Sequence, residues 1–410
     1  MDKRSSLNLD ILRGAAALIV VFHHLFIWAK CFDKSYWYWD YVNYQFPGHL
    51  ALLLFFILSG YVICYNHPVM NNRQMVTDYI RKRLVRILPI YFIAVLFCIA
   101  ISWGHYSWGV MLSNLFFMSV PFDNVMTEGN PLWSVNYELL YYFVFIFFAW
   151  FNISLKKTLS FLLLLILALF LFFFHKKIPP LFISYLVGFI FWISGALIAK
   201  ISSRQYHPLK SSRILAVFIL LFCIGAFNPY DAVLKAIHIT PADYSAWSWY
   251  QQAITYSDLF YYPFALFLML VLTHAYHKKY RIFAIAVFML SLFQFAFIYK
   301  DTYPDFKSIH LLYPIPSVLL VVAVLLWIFN FYLPVRIKKL LQSSAWLSRI
   351  SYAMYVIHMP LLFVFGMTLY AASPSGYAVK ILLFLIALII ASFLLEEKLQ
   401  PLIKKVFFGD

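Results

Sequence analysis

The chain has 410 residues, 64% of them hydrophobic and only 12% charged, and its mean hydropathy is +0.81. Repeated apolar runs of about 20 residues, the length that crosses a bilayer as a helix, exclude a soluble globular domain and predict an all-α polytopic membrane protein with about 10–12 transmembrane helices. The formal net charge of +16 does not indicate a nucleic-acid partner, because the basic residues punctuate the gaps between apolar runs, as topology signals do.

The first apolar run, 9–29, is too long for a cleaved signal peptide and carries Arg13 within it, so it reads as a retained membrane helix. Ionisable side chains inside a span are functional candidates by default. Arg13 and His24 lie eleven residues apart. That spacing returns His24 to within roughly 20° of Arg13's helix face, about 16 Å further along the axis. His23 points roughly 100° away and is the weaker candidate. Arg13 could instead be an anchor snorkelling to the membrane surface, paired with Asp10 one turn earlier.

Further apolar runs follow at 50–66, 88–103, 132–151, 158–174, 181–199, 214–228, 258–276, 282–298, 310–333, 350–372 and 378–395. Assigning alternate gaps to the cytoplasm places most of the 32 Lys and Arg there and puts both termini in the cytoplasm. Lys176-Lys177 falls on the wrong side of this scheme, which leaves the middle helices as the part where the count can drop. The gaps on the other side, 30–49, 104–131 and 229–257, are rich in Trp and Tyr and hold Asp33, Asp40, Asp123, Glu128, Asp231 and Asp243. They are either an aromatic belt at the membrane surface or a sugar-binding rim. Glu138 is a carboxylate inside the fourth run, costly there unless paired. Ser59 beside Gly60 suits close helix packing. The four cysteines, Cys31, Cys64, Cys98 and Cys223, show neither metal-ligand nor disulfide spacing and read as packing residues. There is no repeat of fixed period, and the chain reads as one membrane domain, 1–410, with no resident metal or cofactor.

The stretch Leu9-Asp10-Ile11-Leu12-Arg13-Gly14-Ala15-Ala16-Ala17 with His23-His24 resembles the opening signature of the acyltransferase-3 family, the membrane O-acyltransferases of bacterial surface glycans. Four further blocks follow in the family's order: Phe55 to Tyr61, Arg81 to Tyr91, Trp133 to Glu138, and Ser351 to His358. The resemblance covers the motif-bearing helices of about 9–151 and 345–395, whereas 158–333 carries no such signature. Ile11 stands where a glycine is common, and Asn136-Tyr137 depart from the usual residues before the matched Glu138. The chain reads as a stand-alone member of such a family, expected to work without an appended extracytoplasmic domain.

This resemblance implies transfer of an acyl group, usually acetyl, from cytosolic acyl-CoA to a hydroxyl of a lipid-linked or surface polysaccharide such as O-antigen. The expected setting is the bacterial cytoplasmic (inner) membrane, and the expected partners are the lipid bilayer, acyl-CoA and the glycan acceptor. Arg13, Arg83 and Arg86 would hold the donor phosphates, because a guanidinium presents a planar fork of donors. His24 would be the general base, and Glu138 its orienting partner or an acceptor contact. Asp10, Ser59, Tyr61, Trp133, Ser134 and His358 are possible substrate contacts, with structural hydrogen bonding the alternative for His358. The competing class is a transporter or flippase of an anionic lipid-linked sugar, in which the same residues would line a substrate path. No inverted repeat supports that class.

Overall fold

The computed structural model describes residues 3–34, 46–173, 181–202, 209–226, 254–302, 314–371 and 373–408. Each apolar run carries a helix, and the described residues form no strand. The helices are α1 (Lys3–Ile27), the short α2 (Ala29–Phe32), α3 (Gly48–Asn66), α4 (Arg73–Ile101), α5 (Trp108–Leu115), α6 (Trp133–Trp150), α7 (Leu155–Phe173) and α8 (Leu181–Ser202). After them come α9 (Ser211–Ala226), α10 (Tyr262–Leu272), α11 (Arg281–Thr302), α12 (Pro314–Phe329), α13 (Val335–Ser343), α14 (Ser351–Thr368), α15 (Pro374–Phe393) and α16 (Gln400–Phe408). Among the described residues, eight helices are long and apolar enough to cross a membrane, and three shorter apolar helices accompany them at Ser211–Ile224, Asp258–Leu272 and Pro316–Phe329.

One boundary differs from the sequence reading in a way that matters for the site. The basic residues Arg81 to Arg86 were expected in a gap before the third span, but they lie inside α4, which is continuous over 29 residues. Asn72 caps its start, accepting from the Met75 amide at 2.8 Å, and Gln74 bonds Asp78 one turn on at 2.9 Å. No helix breaker occurs before Pro89. Proline has no N–H and frees the carbonyl four residues earlier, here Val85, and the buried Gln400 Nε2 donates to that carbonyl at 2.7 Å. A side chain from α16 thus supplies the bond that the helix itself cannot make.

The chain divides into two compact units. The first comprises 1–11, 41–68 and 154–344. At its centre α3 and α8 touch backbone to backbone: a Cβ on Gly60 would lie 1.8 Å from Trp192 O, and one on Gly195 would lie 1.8 Å from Ile57 O. Only glycine permits that approach, the small-residue packing that favours helix association in lipid. His49 and Asp258 form an ion pair at 2.6 Å in the same unit, and Asp258 also accepts from the Thr255 amide at 2.7 Å.

The second unit comprises 12–40, 69–153 and 345–410. Here α2 is locked to the α14–α15 junction. Lys380 Nζ donates to Asp33 Oδ2 at 2.9 Å, to Leu369 O at 2.5 Å and to Phe32 O, which engages all three ammonium protons. Asp33 also accepts from the Ala371 amide at 2.8 Å. Asp33 is therefore a buried structural anion and not a rim carboxylate. Glu128 is also buried and accepts from the Tyr106 hydroxyl at 3.0 Å. Asp40, Asp231, Asp243 and Lys176-Lys177 lie outside the described residues, as does most of 229–257.

Candidate functional site

The second unit brings together several of the candidate residues, among them Arg13, His24, Arg83, Glu138 and His358. Arg13 and His24 are both half-buried on α1. Gly14, next to Arg13, lets α1 approach the turn before α14, since a Cβ there would lie 2.8 Å from Leu347 Cβ. On α14, the residues from Ser351 to Pro360 are buried except for Tyr352, which is half-buried. Two tyrosine hydroxyls fix this helix. Tyr352 donates to Ile87 O of α4 at 3.1 Å. Tyr355 donates to Pro131 O at 3.2 Å and lies 2.6 Å from Ser134 Oγ at the start of α6.

So fixed, α14 turns His358 toward α1. Its side chain is completely buried, and its Nε2 lies 3.1 Å from His24 Nδ1. The same His24 Nδ1 is 3.0 Å from Val20 O, one turn back on α1. His358 Nδ1 faces two carbonyls, Tyr355 O at 2.7 Å and Met354 O at 3.2 Å. The His23 ring meets His24 edge-on at 5.4 Å. His24 and His358 are 334 positions apart in the chain, and no spacing rule links them.

A second cluster joins α4 and α6. The Arg83 guanidinium lies over two rings, 5.7 Å from the centroid of Tyr79 and 5.8 Å from that of Tyr142. Its Nε is buried without a hydrogen-bond partner. The Tyr142 hydroxyl donates to Glu138 Oε1, and the Tyr79 hydroxyl donates to Tyr142 O at 3.3 Å. Glu138 is thus joined to Arg83 through Tyr142, whereas the hydrogen bonds of His24 go to Val20 and His358. Glu138 was expected as an orienting partner of His24 or as an acceptor contact; the side chain hydrogen-bonded to His24 is that of His358. Arg86 is exposed on α4, within electrostatic range of Glu396.

The remaining candidates have structural surroundings. Trp133 is buried edge-on against Tyr137 at 5.2 Å. Ser134 donates to Pro131 O at 3.0 Å. Tyr61 is buried in the first unit with its hydroxyl 3.0 Å from Ser202 Oγ, and Ser59 is half-buried beside the Gly60 contact. Asp10 is half-buried on α1, one turn before Arg13. Among the described residues no three His, Cys, Asp or Glu side chains converge as a metal site. Tyr79 and Tyr142 did not stand out in the sequence, although each lies four residues from a partner, Arg83 and Glu138, which is the spacing of neighbours on a helix face.

A family model described as an acyltransferase domain matches residues 6–283. The match runs through the middle helices, where no signature is legible by eye, and ends before the block Ser351 to His358. No curated protein and no solved structure matches the chain.

Proposed function

The chain belongs to the acyltransferase-3 family of membrane acyltransferases, and from that premise we propose that it is an O-acyltransferase moving an acyl group, most simply acetyl, from cytosolic acyl-CoA to a hydroxyl of a lipid-linked or surface polysaccharide such as O-antigen in the bacterial cytoplasmic membrane. The observation that carries this reading is the pairing of His24 with the buried His358 at 3.1 Å. It orients an imidazole within a membrane helix, on the face that also bears Arg13 about 16 Å away.

His24 takes the proton of the acceptor hydroxyl as its oxygen attacks the thioester carbonyl. The tetrahedral intermediate collapses with cleavage of the C–S bond, and the departing thiolate of coenzyme A takes the proton back from His24. Arg13, Arg83 and Arg86 hold the donor phosphates. Support for Arg83 comes from its unpartnered, buried Nε and its planar seat between two tyrosine rings, an arrangement that suits an incoming anion better than a mobile ammonium. The pantetheine arm is long enough to join the arginines to His24. Glu138, tied to Arg83 through Tyr142, steadies the donor end of the site.

Purified protein supplied with acetyl-CoA and a glycan acceptor should release coenzyme A only when the acceptor is present. A flippase would consume no thioester, so acceptor-driven movement of glycan without coenzyme A release would overturn this reading.

A further inference from the structure

We propose that His358 is a positioning residue that fixes the tautomer of His24 and so makes Nε2 the atom that takes the acceptor proton; this rests on His24 being the general base. His358 Nδ1 faces only carbonyl oxygens, those of Tyr355 and Met354 at 2.7 and 3.2 Å. A carbonyl oxygen can only accept, so Nδ1 carries the hydrogen, and neutral His358 has its lone pair on Nε2. That lone pair points at His24 Nδ1, 3.1 Å away, whose other neighbour is the carbonyl of Val20 at 3.0 Å. Facing two acceptors, His24 Nδ1 must carry a hydrogen as well.

The opposite assignment, with His358 donating from Nε2, would make His358 a doubly protonated cation. His358 is completely buried, and no carboxylate is among its hydrogen-bond partners. It would also set the His24 Nδ1 lone pair against the Val20 carbonyl. The desolvation cost of an unpaired buried cation decides against it.

With Nδ1 of His24 occupied, its Nε2 holds the free lone pair, and no hydrogen bond from the described residues uses that atom. When Nε2 takes the acceptor proton, the resulting imidazolium keeps its Nδ1–H shared between the Val20 carbonyl and His358 Nε2, both acceptors. His358 therefore does for His24 what a carboxylate does in hydrolase triads. It does so without placing a second charge in the low-dielectric interior.

The test uses the full-length purified protein, with coenzyme A release measured against acetyl-CoA and acceptor concentration. His358→Phe fills the volume but cannot accept from Nδ1–H. His358→Gln can place an amide oxygen where Nε2 now lies. We expect His358→Phe to lower kcat by up to about a hundredfold, within the range of general-base assistance, with the KM for acetyl-CoA unchanged, and His358→Gln to recover most of the loss. Should His358→Phe not accumulate, His358→Asn takes its place, since its amide meets the α14 carbonyls but stops short of His24. A normal kcat in the Phe or Asn variant overturns the proposal, as does a Gln variant that is equally slow while binding donor normally. His24→Ala in the same assay separates the two levels. Activity retained there removes the base reading itself, whereas an inactive His24→Ala beside a fully active His358→Phe removes only the role of His358.

Discussion

At the scale of single residues, the proposed chemistry rests on two polar side chains of the first helix, Arg13 and His24, that share a face. If His24 is the base, His24→Ala should lower transfer by a hundredfold or more, on the order of what general-base loss costs, while the protein remains inserted and abundant. His23→Ala should be much milder, because adjacent residues leave a helix about 100° apart and its ring meets that of His24 only edge-on. Rates at matched expression check both. Arg83→Lys should raise the acetyl-CoA concentration needed for half-maximal rate, since a point charge replaces neither the fork nor the stacking between Tyr79 and Tyr142; a donor titration with acceptor held constant reads this directly. Arg13 and His24 were legible in the sequence because helix geometry alone relates residues eleven apart. The partner of His24 was not. Glu138 looked like the natural orienter, as a carboxylate in a membrane helix needs a partner, but Tyr142, four residues on in the same helix, meets that need locally.

At the scale of elements, the helices are held by polar contacts that compensate for particular defects. Gln400 serves the carbonyl that Pro89 leaves open on α4. Gln400→Leu should therefore lower stability by about 1–3 kcal/mol, the cost of an unmet buried acceptor, as measured by thermal unfolding of the detergent-solubilised protein. Lys380 and Asp33 lock α2 to the junction of α14 and α15. Lys380→Met leaves a buried carboxylate without its cation and should cost roughly 3–5 kcal/mol. The double variant Lys380→Met with Asp33→Asn should be less destabilised than Lys380→Met alone, because the stranded charge is gone. A double-mutant comparison in the same unfolding assay checks this. That α4 extends through its basic block was not legible from hydropathy, which registers the apolar half of a helix and misses a polar half extended by its cap at Asn72.

At the scale of the whole molecule, the proposed reaction has a direction. Acetyl-CoA should support transfer only when offered to the cytoplasmic face, so sealed vesicles of opposite orientation should differ in coenzyme A release, and permeabilisation should abolish the difference. Equal rates from both faces before permeabilisation would contradict the assignment of the arginines to donor binding. The sequence by itself determined that this is a helical membrane protein, that it belongs among acyltransferases, and that Arg13 and His24 share one face of the first helix. All of these follow from composition, from local blocks and from the fixed pitch of a helix, which act over a few turns of chain. Only the tertiary structure decided that His358 meets His24, that Arg83 is seated between Tyr79 and Tyr142, and that Asp33 is a buried anchor and not part of a rim. Such pairings depend on which helix faces pack together, and that is settled by side-chain volume and close backbone approach across segments hundreds of residues apart, as Gly366 against Cys31 O illustrates. No periodicity records them.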